Sequence, residues 1–147
     1  MITVRNAAKA DIESLVALCA ETLPEKWSAE SFGAEFEKNS VVLCAADDGE
    51  IIGFAVTAVS FDEGYLDLIA VSEKCRRQGI ARRLLNATEH ELIIRGATHA
   101  VLDVRESNDA VKFYKACGYK VLCTRRDFYS NPRENAFTMT KELGENK

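Results

Sequence analysis

Four arginines fall within the eight residues Arg76-Arg77-Gln78-Gly79-Ile80-Ala81-Arg82-Arg83 of a chain that is acidic overall, with 23 acidic and 19 basic residues and a formal net charge of -4. The segment follows an apolar stretch, Tyr65 to Val71, and precedes Leu84, Leu85, Thr88, Leu92 and Ile93 at helical spacing. Small residues at 79 and 81 let a ligand approach the backbone. The amides that open a helix have no intrahelical acceptor, and the helix dipole adds partial positive charge there. With the guanidinium groups around it, such a turn suits a pyrophosphate or phosphate. The same pattern also describes an ordinary helix start with solvated arginines, and spacing alone does not choose between them. A Walker loop is excluded because no Gly-Lys-Ser/Thr follows, and a dinucleotide turn is disfavoured by having one glycine of G-x-G-x-x-G.

Other chemistry-bearing residues are fewer. The carboxylates Asp67, Asp103 and Glu106 lie on or beside apolar stretches, where the plain reading is an exposed strand carboxylate paired to arginine. The five cysteines, Cys19, Cys44, Cys75, Cys117 and Cys123, form no C-x-x-C pair, and neither His90 nor His99 stands in a nucleophile-base motif with one of them. That composition fits a reducing cytoplasm. No basic stripe argues for nucleic acid, and no apolar run approaches membrane-spanning length. The reading is of a soluble cytoplasmic chain needing no metal.

The elements that must position these residues follow from periodicity. Ile2 to Arg5 alternates as a strand, and Ile12, Leu15, Val16, Leu18 and Cys19 repeat as a helix headed by Asp11. Ser28 is placed to cap a second helix carrying Phe32 and Phe36. Two apolar, β-branched runs, Val41 to Ala46 and Ile51 to Ser60, flank Asp47-Asp48-Gly49-Glu50 as a hairpin, and Asp62-Glu63-Gly64 turns into a third strand ending at Val71. A helix ending at Gly96, a strand over Ala100 to Val104, a helix from Asn108 ending at Gly118, and strands near Tyr119 to Thr124 and Ala136 to Thr140 complete the order βααβββαβαββ. With 147 residues, 47% of them hydrophobic, and no repeat or linker, the expectation is one domain over 1–147 with a frayed tail after about Leu143.

The arginine turn, read as Arg76, Gly79 and Ala81 after Ile69-Ala70-Val71, resembles the R/Q-x-x-G-x-G/A motif of the GNAT superfamily of N-acetyltransferases. The segment Ser107-Asn108-Asp109-Ala110-Val111-Lys112-Phe113-Tyr114-Lys115-Ala116-Cys117-Gly118-Tyr119 is similar to the same superfamily's S-N-x-x-A-x-x-x-Y-x-x-x-G-F/Y. The resemblance implies an α/β fold with one mixed, mostly antiparallel sheet flanked by helices and a cofactor cleft between splayed strands. It implies acetyl-CoA as cosubstrate, held by Leu68, Ile69, Ala70 and Val71, by Arg76, Arg77, Gln78, Gly79, Ile80, Ala81 and Arg82, and by Asn108. It also implies that Tyr114 is the acid that protonates the leaving sulfur. A core aromatic on an amphipathic helix is the alternative for Tyr114.

Trp27-Ser28-Ala29-Glu30-Ser31-Phe32, Arg125-Arg126-Asp127-Phe128-Tyr129 and Arg133-Glu134-Asn135-Ala136-Phe137-Thr138-Met139 resemble more closely the branch that acetylates the N-terminal alanine of a small-subunit ribosomal protein. In that branch a glutamate base stands where Leu102-Asp103-Val104-Arg105 has Asp103. The resemblance therefore implies transfer to a protein N-terminal amine, with Asp103 as base through a water, Asp67 and Glu106 as rivals, and Trp27, Phe32 and Tyr129 lining a peptide groove. Ordinary packing is the alternative for those aromatics. Another protein or small-molecule amine, or an acyl-CoA module without catalysis, would fit the cofactor motifs as well.

Overall fold

Side chains alternate across a strand with period two and recur on a helix every 3.6 residues, so the apolar pattern sorts the chain into a sheet covered on both faces. The computed structural model describes residues 1–24, 26–38 and 40–144. Its strands are β1 (Ile2–Asn6), β2 (Val41–Asp47), β3 (Glu50–Ser60), β4 (Glu63–Val71), β5 (His99–Arg105), β6 (Lys120–Tyr129) and β7 (Glu134–Glu142). The helices are α1 (Ile12–Thr22), α2 (Ala29–Glu37), α3 (Ile80–Ile94) and α4 (Ala110–Ala116). The element order is the one expected from periodicity, and the seven strands form one sheet in the order β1-β2-β3-β4-β5-β7-β6. Residues 145–147, on which the expectation of a frayed end falls, lie outside the described residues.

Each short-range signal has its physical counterpart. The Ser28 hydroxyl accepts from the Ser31 amide at 3.1 Å and starts α2. Asp48 and Gly49 adopt positive φ, 50° and 90°, as a two-residue hairpin turn requires. All pairs are antiparallel except β4 with β5, and a parallel pair needs a crossover, which α3 supplies. Val41 to Ala46 is buried throughout, as expected of a strand covered on both sides. On one face, Leu15, Leu18 and Phe32 of α1 and α2 meet Val42, Cys44 and Phe54. On the other, Leu84 and Leu92 of α3 and Tyr114 of α4 meet Leu43, Ala55, Leu102 and Met139.

Two irregularities interrupt the pairing of β4. The β4–β5 ladder runs from Glu63 opposite His99 to Leu66 opposite Leu102 and stops there, although both strands continue. In the β3–β4 ladder, Val56 faces Leu68 and Thr57 faces Leu66, so Asp67 is the extra residue of a β-bulge. The bulge reverses which face the following side chains take. Leu66 joins the cluster under α3 and α4, whereas Leu68 and Ala70 join the cluster under α1 and α2.

The fit of α3 against β4 is close. A Cβ built on Gly64 would lie 2.6 Å from Cδ1 of Leu92, a side chain only 2% exposed, whereas one built on Gly33, within α2, meets nothing within 4 Å. Gly64→Ala is therefore expected to destabilise the protein by about 1–3 kcal/mol through overpacking. Gly33→Ala should stabilise it by about 0.4–1 kcal/mol by removing backbone freedom from the unfolded chain. Urea unfolding of the two variants checks both signs.

Candidate active site

Where β4 and β5 part, a cleft of about 750 Å³ opens, within the size range of small-molecule sites. Its walls are Asp67 to Val71 on one side and Asp103 to Arg105 on the other. The turn into α3, the start of α4, Tyr114 and Tyr129 close it. Thr22, Leu23 and Pro24, at the end of α1, form its outer lip.

The anion end of the cleft is built at the start of α3. Gly79 is the N-cap with φ 77°, no side chain caps the first turn, and a Cβ on Gly79 would meet nothing within 4 Å. The leading amides of a 15-residue helix are thus left for a ligand. Arg77 also holds a left-handed φ of 66°, two residues before Gly79. Arg76, Arg77 and Arg82 face the cleft, and Arg76 Nε donates to the Val71 carbonyl at 3.1 Å. This cradle fits the doubly charged pyrophosphate of coenzyme A. Arg83, one residue further along the helix, turns away and donates to the Ile2 carbonyl at 3.2 Å. Gln78 also lies outside the cleft wall.

Asn108 lines the cleft, and its Oδ1 accepts from the Ala110 amide at 2.8 Å, capping α4. That leaves its NH2 group as the donor toward a ligand. Tyr114 projects from the capped helix. Its ring is buried against Phe113 and Tyr119, with centroids at 5.4 and 5.8 Å, and its hydroxyl makes no hydrogen bond among the described residues. Burial above all, then the nearby Cys117 and Tyr129, raises its pKa above the usual tyrosine value. The phenol therefore stays protonated at neutral pH.

The two aspartates of the fork differ in kind. Asp103 is 5% exposed and both its oxygens are occupied. Thr138 donates to Oδ1 at 2.6 Å, with Arg125 Nε 3.4 Å from the same atom, and the Tyr65 hydroxyl donates to Oδ2. Burial, followed by the Asp103 bond, pushes the Tyr65 phenol well above its usual pKa. Asp67, the bulge residue, is open to the cleft and makes no hydrogen bond or ion pair among the described residues. Desolvation by the surrounding protein, then the charge of Glu35 on α2, raises its pKa to about 6 against an opposing pull from Lys38. Glu106, the third candidate proton acceptor, is not part of the wall.

The expected aromatic groove is only partly assembled. Tyr129 faces the cleft, but Phe32 is fully buried, its ring 5.2 Å from Trp27 and 5.6 Å edge-on from Phe54. Phe32 is a core residue, because the face of α2 that carries it lies on the sheet. Trp27 covers it and does not reach the cleft wall. Tyr65, Thr138 and Arg105 are site residues that the sequence motifs do not single out. Period-two alternation places Tyr65 with Asp67, and Asp103 with Arg105, on common strand faces, which is the signal available for them.

No helix among the described residues is long and apolar enough to cross a membrane. The family model for a GNAT acetyltransferase domain matches residues 6–142. The ribosomal protein bS18-alanine N-acetyltransferase of Escherichia coli strain K12 is 34% identical over 77% of this chain and 78% of its own length. An N-alpha-acetyltransferase of Sulfurisphaera tokodaii is 27% identical over 95% of this chain and 92% of its own. The crystal structure of the Escherichia coli ribosomal-protein-S18-alanine N-acetyltransferase superposes with a TM-score of 0.91 and 28% identity, covering 100% of this chain and 97% of that one. A fork between parallel strands, an uncapped helix start beside three arginines and this likeness lead to one conclusion: the chain belongs to the GNAT acetyltransferase family and is an N-acetyltransferase of that type.

Proposed function

We propose that the protein transfers the acetyl group of acetyl-CoA to the α-amine of a protein N-terminus, with the N-terminal alanine of a small-subunit ribosomal protein as acceptor. The observation that carries this reading is the continuity of the cleft from the anion cradle at Gly79 to Tyr129 on the β6–β7 hairpin, with Asp67, Asp103 and Tyr114 between. The names of the Escherichia coli and Sulfurisphaera tokodaii relatives, both N-terminal or alanine acetyltransferases, support the acceptor class.

In this reading the amides opening α3, with Arg76, Arg77 and Arg82, hold the pyrophosphate, and the Leu68 to Val71 backbone and the Asn108 amide hold the pantetheine arm. Bound acetyl-CoA supplies an acetyl group activated as a thioester. The backbone of β4 beyond Leu66, left without a β5 partner, offers N–H groups for the charge that builds on the acetyl oxygen. Tyr114, protonated across the physiological range, donates a hydrogen bond to the departing sulfur. The acceptor enters past Tyr129, and its amine, with a pKa of about 8, must lose a proton to attack. Asp67 is the better acceptor of that proton: it is open, unpaired among the described residues and half ionised at about pH 6, whereas both oxygens of Asp103 already accept hydrogen bonds. Asp103 fixes the floor of the fork through Tyr65 and Thr138.

Thiol release with acetyl-CoA and peptides beginning with alanine, serine or methionine, run beside spermidine and an aminoglycoside, tests the acceptor class. The alanine peptide is expected to turn over fastest, and turnover of small amines with none of the peptides overturns the reading. Tyr114→Phe keeps the packed ring and should lower kcat by about 10²-fold with acetyl-CoA affinity unchanged. An unchanged kcat removes Tyr114 from the mechanism.

The base is identified by pH. Asp67 must be ionised and the amine neutral, so log kcat/KM should rise with slope two below about pH 6, slope one up to the amine pKa of about 8, and then level. Asp67→Asn should lower kcat/KM by about 10²-fold and leave slope one below pH 6. Retention of slope two in Asp67→Asn, with its loss in Asp103→Asn, would assign the proton to Asp103.

A further inference from the structure

The segment between β5 and α4 and the turn between β6 and β7 are joined by contacts that acetyl transfer itself does not require. Arg105, the last residue of β5, donates from Nη1 to the Pro132 carbonyl at 2.9 Å and to Glu134 Oε1 at 3.3 Å, and from Nη2 to the Ser130 carbonyl at 3.1 Å. Its guanidinium carbon also lies 4.4 Å from the centre of the Tyr129 ring. The other oxygen of Glu134 accepts from the Ser107 amide at 2.7 Å. Ser107 immediately precedes Asn108, whose side chain caps the helix that carries Tyr114.

The two charged side chains are 18% and 17% exposed, so most of their surroundings are protein. Beside these contacts, the Asp127 amide donates to Asn135 Oδ1 at 2.8 Å and the Asn135 carbonyl accepts from the Glu106 amide at 3.2 Å. β6 is exposed along nearly its whole length, its register with β7 slips between Arg125 and Tyr129, and residues 130–133 are exposed. A planar guanidinium with donors on two nitrogens can hold two carbonyls, a carboxylate and an aromatic face at once, which an ammonium group cannot. Tyr129, the acceptor-side aromatic of the cleft, therefore stacks on a residue of the cofactor-side strand.

We propose that Arg105 and Glu134 form a latch that sets the acceptor wall in register with the cofactor wall. Arg105 is a positioning residue for Tyr129 and the β6–β7 turn, and Glu134 ties it to the Ser107-Asn108 loop. The latch deepens the proposal of a peptide acceptor and rests on it for the choice of substrate.

The experiment compares Arg105→Ala, Arg105→Lys and Glu134→Gln with the wild type in three measurements. These are steady-state kinetics with the alanine-starting peptide, the acetyl-CoA Kd by calorimetry, and amide hydrogen exchange over residues 127–135. Arg105→Ala should raise the peptide KM by about ten-fold or more while the acetyl-CoA Kd moves less than about two-fold, with faster exchange confined to 127–135. Arg105→Lys, which keeps the charge opposite Glu134 but not the fork, should recover part of the loss, and Glu134→Gln should lie nearer the wild type. An unchanged peptide KM, or a peptide KM and acetyl-CoA Kd that rise together with faster exchange across the whole sheet, overturns the proposal. Should the wild type acetylate no peptide, the acceptor reading fails by itself. Exchange and Kd then still decide the latch: faster exchange confined to 127–135 supports it, and unchanged exchange there overturns it.

Discussion

The site depends on one conflict of pairing. β4 stays hydrogen-bonded to β3 as far as Val71, and β5 stays bonded to β7 as far as Arg105, but the two strands are bonded to each other only up to Leu66 and Leu102. Each strand follows its own partner, and the parallel ladder between them ends partway. Backbone groups in a sheet are costly to leave unpaired away from water, so a sheet that splits internally must open the split to solvent or to a ligand. Here the strip of β4 beyond Leu66 lines a cleft large enough for a cosubstrate arm. The uncapped start of α3 lies at the end of the same strip, because α3 is the crossover that the parallel pair demands.

The bulge at Asp67 sits at the first residue beyond the split, and it does two things together. It changes the facing of the strand, so that Leu68 and Ala70 can fill the core under α1 and α2 after Leu66 has filled the core under α3 and α4. It also leaves a carboxylate at the mouth of the fork with no hydrogen bond or ion pair among the described residues. On the neighbouring strand, Asp103 has the opposite fate: cross-strand neighbours on β4 and β7 give both its oxygens donors. Two aspartates on adjoining strands are thereby divided into one that titrates near neutrality and one that is bound into the sheet.

This division is not legible in the sequence, although much around it is. The arginine turn, the helix start near Asn108 and the order of the strands and α-helices are local signals, written within a few residues of where they act. Which carboxylate is free depends on the register among β4, β5 and β7. Tyr65 and Asp103 are 38 residues apart, and Thr138 lies 35 beyond Asp103. No short-range pattern carries that register. Phe32 departs from expectation for a related reason: its spacing fixes it on the apolar face of α2, but only the docking of that face on Phe54 shows that the ring lies in the core.

The placement of the cleft wall that carries Tyr129 follows from where it sits in the sheet. β6 is an edge strand, exposed along its length, and its slips against β7 at Leu122 and between Arg125 and Tyr129 disturb the flat edge that would invite pairing with another chain. An edge strand of that kind gains little from burial, so polar contacts, chiefly those of Arg105 and Glu134, carry the position of its tip. The cofactor side is different: Ile80, Leu84 and Tyr114 anchor it in the main core. One wall of the cleft is therefore held by packing that tolerates little change, while the other is held by a few directional bonds. Substitutions at the hairpin can therefore alter that wall of the cleft without disturbing the packing that holds the start of α3.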